Sequence, residues 1–341
     1  MSRVLVTGGA GYIGSHTTIE LLQHGHEITV VDNLSNSSAG SLDAVRKLTG
    51  KPVQLHEIDI ADQAALGKIM DEGKFDAVIH FAAFKAVGES VNEPLKYYQN
   101  NVGGFVSLLE AVVKHSIPKF VFSSTAAVYG TPPVDRVTEE TPTNPESPYG
   151  WSKYMDEIVL RDCCAATTLH GTALRYFNVV GAHESGELGE SPLGRPNNLL
   201  PLVVQATAGK IPPLTVYGTD YPTADGTCER DFIHVVDLAR AHVAALEHDS
   251  SDGMNYHVFN VGTGHPTSVL KLIETFESVN GVKVPHTLGE RRPGDPAAYF
   301  AAPDKAQAQL GWQATKTIED ACRDAWNWQT KHPNGFTKEH S

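Results

Sequence analysis

Cysteine is scarce in this chain: four occur among 341 residues. Cys163, Cys164, Cys228 and Cys322 show no metal-ligand spacing, and the adjacent pair falls in a helical pattern. A disulfide framework and a thiolate metal site are therefore not expected. The 16 histidines include no HExxH-like pair, so no metal is expected either. Basic residues are also in deficit, 27 Lys and Arg against 40 Asp and Glu for a formal net charge of −13. Such a surface repels nucleic-acid backbones and anionic membranes, and any phosphate-bearing ligand must be met by local cations. No apolar run approaches the roughly 18 residues of a membrane span, and a strand pattern starts at Arg3, leaving no room for a signal peptide. The cytoplasm is the expected compartment.

What is present begins at once. Arg3-Val-Leu-Val-Thr-Gly8-Gly-Ala-Gly11-Tyr-Ile-Gly14-Ser15 reads as a buried strand, a glycine-rich turn and the start of a helix. Three glycines at this spacing arise by chance about 0.2 times in such a chain, so context has to carry the reading. Gly8 can take angles closed to other residues, Gly11 lets the backbone approach phosphates, and Gly14 lets helix pack on strand. The helix N-terminus then offers free N–H groups to an anion. A second strand pattern over 27–31 ends at Asp32, at the distance expected for a ribose-binding acid. A carboxylate there accepts bonds from a ribose diol and repels an extra phosphate, which selects NAD over NADP.

Strand-like runs recur at 4–7, 28–32, 54–57, 77–81, 120–123 and 172–177, separated by helix-compatible segments. That alternation predicts an α/β fold with a doubly wound parallel Rossmann sheet. A long helix is expected over 94–115, with Leu95, Tyr98, Val102, Phe105, Val106, Leu109, Val112 and Val113 at helical spacing. Another should start with Ser147 as cap and Pro148 in its first turn and end near Gly171. From 181 to 230 the pattern breaks into Gly-, Pro- and Asn-rich segments that read as loops of a ligand-covering lobe. A strand over 258–262 and a helix over 270–279 follow. The expected division is a sheet domain of residues 1–180 plus about 236–264, interlaced with a smaller α/β substrate lobe of 181–235 and 265–341.

Ser147-Pro-Tyr149-Gly-Trp-Ser-Lys153 places Tyr149 and Lys153 on one helical face. It follows a hydroxyl-rich strand end, Ser123-Ser124-Thr125, at the carboxyl edge where such sheets bind ligands. A phenol of reference pKa about 10 is a poor base, but the Lys153 cation and an oxidised nicotinamide should lower it. Tyr149 could then accept a proton from a sugar hydroxyl that Thr125 or Ser124 holds in place, with Lys153 also bonding the nicotinamide ribose.

With these residues assembled, the chain resembles the extended short-chain dehydrogenase/reductase family, in its nucleotide-sugar 4-epimerase branch. The resemblance runs nearly end to end, through Val31-Asp-Asn-Leu-Ser-Asn-Ser37, His80-Phe-Ala-Ala-Phe-Lys-Ala-Val-Gly-Glu-Ser90, Asn100-Asn101-Val102, Leu174-Arg-Tyr-Phe-Asn-Val-Val-Gly-Ala182, Asp220-Tyr-Pro-Thr-Ala-Asp-Gly226, the Arg230-Asp-Phe-Ile-His234 segment and Arg291-Arg-Pro-Gly-Asp295. It implies that Gly8, Gly11, Tyr12, Ile13, Gly14, Asp32, Asn33, Asn36, Ser37, Asp59, Ile60, Phe81, Ala82, Lys85, Asn100, Tyr149, Lys153 and Phe177 surround NAD. It assigns Lys85, Thr125, Tyr149, Asn178, Asn198, Leu199, Tyr217, Arg230, Arg292, Asp295 and Tyr299 to a UDP-hexose.

The implied activity interconverts UDP-galactose and UDP-glucose through a 4-keto sugar, with Tyr149 as acid/base and tightly held NAD recycled in each turnover. Departures from the family pattern are small: Thr125 stands where Ser is frequent, and Ala83 where Gly is frequent. A 4,6-dehydratase would need an Asp-Glu pair after the threonine, where this chain has Ala126-Ala127. A silent NAD-binding protein would commonly have lost Tyr149 or Lys153. Tyr299 is expected to narrow the pocket beside the sugar C2 substituent, and the two long helices are expected to form the seam of a homodimer.

Overall fold

The computed structural model describes residues 1–336 apart from Arg195, Ser251 and Pro293. Seven strands form one wholly parallel sheet, in the order Tyr256–Val261, His170–Tyr176, Lys119–Ser123, Ala77–His80, Arg3–Thr7, Glu27–Asp32, Gln54–Glu57. Its central strands are near-continuous apolar runs because helices cover both faces. From Arg3–Thr7 the chain first builds outward on one side, through Glu27–Asp32 and Gln54–Glu57, and then on the other. The order therefore reverses between Arg3–Thr7 and Ala77–His80, where Thr7 registers with His80. A crevice opens at the carboxyl ends of strands at such a switch point.

The smaller lobe holds the strands Pro266–Ser268, Glu229–His234, Ala298–Ala301 and Arg136–Val137, with Asn178–Val180 beside Glu229–His234. A two-stranded parallel pair, Leu214–Tyr217 and His286–Gly289, lies apart from them. The helices Leu199–Thr207, Val269–Asn280 and Ile318–Lys331 share an apolar core with this lobe. Their ends follow from local chemistry: Ser268 accepts the Lys271 N–H, Gly281 ends its helix at φ +65°, and Thr317 with Asp320 forms a reciprocal capping box. The helix Val235–Glu247 packs on Tyr12–Gln23, and Tyr256–Val261 completes the large sheet, so the chain crosses between lobes more than once.

Three expectations change. The run 94–115 is helical but not one α-helix, since the π-helical turn Tyr98–Gly103 separates Pro94–Tyr97 from Gly104–Lys114. Within that turn the Asn101 side chain grips the backbone of Phe84 (Oδ1 from N–H 2.9 Å, Nδ2 to C=O 3.1 Å) and donates to Ser152 Oγ at 3.0 Å. Those bonds hold the wide turn in place, as π-bulges at functional sites commonly are. The helix capped by Ser147 ends at Ala166, short of Gly171, because extended backbone at Thr167 leads into the strand His170–Tyr176. The segment 181–230 is not all loop, since it contains Leu199–Thr207 and Leu214–Tyr217. Pro201 is tolerated in the first of these because it lies in the opening turn, whose N–H groups have no helical partner.

Candidate active site

The glycine turn lies at the switch point. Gly8 has φ +73°, and a methyl group there would come within 2.6 Å of the Ala82 nitrogen; one on Gly14 would collide with the Gly8 carbonyl oxygen. Only hydrogen fits at either position. The helix Tyr12–Gln23 starts from Gly11 with no side chain capping it, so its first N–H groups remain available to an anion. Across the turn, Asp32 is held at a fixed angle: Oδ2 accepts the Ala10 N–H at 3.0 Å, and Oδ1 accepts the Leu34 N–H at 2.9 Å and the Ser37 hydroxyl at 2.7 Å. Asn33 donates to Asp59 at 2.9 Å.

These residues wall a cleft of about 190 Å³. Gly8, Gly11, Tyr12, Ile13, Gly14, Asp32, Asn33, Asn36, Ser37, Asp59, Ile60, Phe81, Ala82, Lys85, Asn100, Tyr149 and Lys153 all line it, so the cofactor set read from the sequence converges on one cavity with a single exception. Phe177 faces elsewhere, in an apolar cluster with its ring 5.1 Å from that of Tyr299. Tyr12 reaches across to donate to the Gly181 carbonyl at 2.6 Å. Lys85 pairs with Glu190 at 2.9 Å. The walls that sequence reasoning missed include Ser15, Ser38, Ser41, Phe84, Tyr176, the 189–192 stretch and Phe336. Only the glycine- and proline-rich composition around 189–192 gave any signal of them.

At the nicotinamide end, Ser147 Oγ accepts the Gly150 N–H at 3.1 Å, which starts the helix Pro148–Ala166 so that Tyr149 and Lys153 both turn inward and are almost fully buried. Lys153 donates to the Ser123 carbonyl at 3.0 Å and stands 4.6 Å above the Phe122 ring. Burial pushes its pKa down to about 8, against the opposing pull of Asp156 and Glu157. Asp156 is buried with neither carboxyl oxygen hydrogen-bonded, and burial raises its pKa well above the usual range. Tyr149 departs from expectation: burial first, then Tyr176, raises its pKa, with only the Thr125 hydroxyl pulling downward through a hydrogen bond. In the protein alone, desolvation outweighs any acidifying effect of Lys153.

Of the two candidate hydroxyls, Thr125 stands against the Tyr149 phenol and also accepts the Ala127 N–H at 3.2 Å. Ser124 is a correction. Its hydroxyl is committed to Glu157, in a buried network where Arg175 forks onto the same carboxylate (Nε to Oε1 3.0 Å, Nη2 to Oε2 2.6 Å) and donates to the Tyr129 hydroxyl at 3.0 Å. This network lies behind the site and ties the Tyr149 helix to the strand His170–Tyr176.

Of the residues assigned to the nucleotide sugar, Lys85 and Tyr149 line the cofactor cleft and Thr125 stands beside Tyr149, whereas the others lie outside that cleft. Asp295 brings two arginines together, receiving Arg292 Nη2 at 2.8 Å and Arg230 Nη2 at 3.4 Å. The Arg292 guanidinium lies 5.1 Å from the Tyr217 ring centre. Asn198 and Leu199 open the helix Leu199–Thr207, whose N-terminus has no side-chain cap. Asn178 is exposed on a strand paired with the one carrying Arg230. Tyr299 registers with Arg230 and donates to the Ala126 carbonyl at 2.5 Å, bridging the arginine cluster and the Tyr149 region.

Comparison with known proteins agrees with this geometry. A family model described as GDP-mannose 4,6 dehydratase matches residues 5–325. The UDP-glucose 4-epimerase of Bacillus subtilis is 51% identical over 335 residues, covering 98% of each chain. UDP-glucose 4-epimerase 2 of Arabidopsis thaliana is 50% identical, over 98% of this chain and 96% of its own. The UDP-glucose 4-epimerase of Bifidobacterium longum, crystallised with NAD+ and UDP, superposes with a TM-score of 0.93 at 49% identity, over 98% of this chain and all of its own. That of Stenotrophomonas maltophila, with bound NAD and formylated UDP-arabinopyranose, gives 0.95 at 45% identity, over 98% and 99%. With relatives this similar along the whole length, the chain belongs to the UDP-glucose 4-epimerases, within the extended short-chain dehydrogenase/reductases.

Proposed function

We propose that this protein interconverts UDP-galactose and UDP-glucose by removing hydrogen from the sugar C4 and restoring it on the opposite face. The observation that carries the reading is that Tyr149 and Lys153 open onto the same cleft as the glycine turn and Asp32. The cleft fits a dinucleotide. Hydrogen-only positions at Gly8 and Gly14 leave backbone at the pyrophosphate position, and an oriented carboxylate meets a ribose. When bound, NAD supplies the hydride acceptor and donor.

The chain's own residues do the rest. Tyr149 takes the proton of the sugar 4-hydroxyl, and Thr125 orients that oxygen. Lys153 bonds the nicotinamide ribose, and its charge favours the phenolate. Arg230 and Arg292 meet the diphosphate as guanidinium forks, the local cations that an acidic protein needs. Asn178, Asn198, Leu199, Tyr217 and Asp295 frame the rest of the nucleotide sugar, and Tyr299 closes the pocket beside C2. Holding the nucleotide firmly while leaving the hexose free to turn lets binding energy retain the ketone. Ala126 and Ala127 follow Thr125 and carry no proton, which disfavours a dehydratase.

The same reading takes residues 1–180 with about 236–264 as the NAD domain and the remainder as the nucleotide-sugar lobe, with the strands Arg136–Val137 and Asn178–Val180 of the first stretch pairing into the lobe's sheet. It places the protein in the cytoplasm and pairs two copies. Val91, Leu95, Val106, Trp151 and Met155 are exposed apolar side chains on the helices between 87 and 166, which supports a seam built there. Incubating the purified protein with UDP-glucose tests the activity: UDP-galactose is expected, and a 4-keto-6-deoxy product would overturn the assignment.

A further inference from the structure

One wall of the cofactor cleft comes from the far end of the chain. Phe336 lines it and lies against Gly40, where an added methyl group would meet the phenyl group at 3.3 Å. Gly40 opens the helix that follows the 32–38 segment. The ring therefore stands at the end of the cleft that Asp32 defines, the adenosine end.

Residues 332–336 are a strap anchored at both edges. The Phe336 N–H donates to Ser191 Oγ at 3.2 Å, and Gly335, at φ +66°, passes so close to that hydroxyl that no side chain fits. Trp328, the last buried residue of Ile318–Lys331, stacks on His332 at 4.3 Å, packs at a tilt against Phe336 at 4.8 Å and donates to the Glu190 carbonyl at 3.1 Å. Lys331 donates to the Ser185 carbonyl at 2.6 Å. Glu190 in turn pairs with Lys85 across the cleft. Behind the strap lies a second cavity of about 300 Å³, walled in part by Leu200, Val204 and Trp328. The strap is thus packed on its cleft side and underfilled behind, an arrangement that can lift.

We propose that Phe336 and the strap it ends form the retaining wall over the adenosine half of the dinucleotide and set how long NAD stays bound. The proposal rests on the cleft being the NAD site. An enzyme that returns its cofactor to the starting state in each turnover gains nothing from releasing it, so a wall of this kind serves retention and not chemistry.

The test measures NAD release from the NAD-loaded protein after desalting, read with a coupling dehydrogenase. Phe336→Ala is expected to release NAD about 10–100-fold faster, the consequence of losing one half-buried aromatic wall. Ser191→Ala, which loses one hydrogen bond and no apolar contact, should release it about 2–5-fold faster. Phe336→Tyr should stay near the parent. At saturating NAD, the UDP-galactose KM of all three should match the parent, while the melting temperature of Phe336→Ala falls only by what its weaker NAD binding requires. Release from Phe336→Ala at the parent rate would overturn the proposal. So would faster release accompanied by a raised UDP-galactose KM at saturating NAD, since that marks general loosening. A parent that binds no dinucleotide would instead overturn the cofactor reading itself, and the strap with it.

Discussion

Removing Glu157 tests how far the buried ion pair behind the site holds the catalytic helix. The Arg175 and Glu157 side chains are 7% and 3% exposed. In Glu157→Ala the guanidinium would keep only the Tyr129 hydroxyl as a partner, and Ser124 would lose its acceptor. Leaving one charge of a buried pair uncompensated costs about 3–5 kcal/mol. At about 2.1 cal/mol/K per residue, 341 residues give an unfolding entropy near 0.7 kcal/mol/K, so the melting temperature should fall by about 4–7 °C. Replacing both partners, as Glu157→Leu with Arg175→Met, removes the desolvated charges together and should recover most of that loss. Thermal melts of Glu157→Leu, Arg175→Met and the double, beside Glu157→Ala and at fixed protein and NAD concentration, measure the cycle. Additive losses, or a Glu157→Ala melt within 1 °C of the parent, would refute the claim that the pair is a dry, mutually dependent unit.

The remaining expectations concern the cleft. Tyr149→Phe should lower kcat by about 10²–10⁴-fold while largely keeping its NAD, because it removes the proton acceptor and leaves the ring in the cleft wall. Lys153 is charged below about pH 8 and discharges above it, since burial lowers its pKa. The activity that depends on its charge should therefore fall as pH rises through that value, and Lys153→Met should be slow throughout and lack this alkaline limb. Gly14→Ala should bind NAD at least about 10-fold more weakly by titration, because the added methyl group would collide with the Gly8 carbonyl oxygen. Asp32→Ser should narrow the preference for NAD over NADP in the same assay, since it removes the charge that repels a 2′-phosphate.

Much of this was legible in the sequence, for physical reasons. Parallel strands buried on both faces leave continuous apolar runs, and the six expected strands of the large sheet through residue 177 fall within two residues of their observed limits, although the edge strand Gln54–Glu57 is polar and only partly buried. Glycines at 8 and 14 mark backbone positions where no side chain fits, and they meet the carboxylate of Asp32 in one cleft. What stayed hidden depends on tertiary contacts. The apolar spacing from Leu95 to Val113 passes through the π-helical turn without a break, because that turn is held by the Asn101 side chain gripping Phe84 and not by local propensity. Tyr149 gave no sign of the burial that raises its pKa, and Ser124 none of its commitment to Glu157. Phe336 is a lone aromatic near the chain end with no periodicity around it, so only the folded arrangement gives it a role.

The most direct test of the central claim follows the hydrogen itself. UDP-galactose carrying deuterium at C4 is mixed with the purified protein in ordinary water, with unlabelled NAD added in excess, and the UDP-glucose formed is examined by mass spectrometry and NMR. If hydrogen leaves C4 and returns to the opposite face within one closed site, the deuterium should remain at C4 of the product. Loss of the label to solvent or to the added cofactor pool would contradict the account.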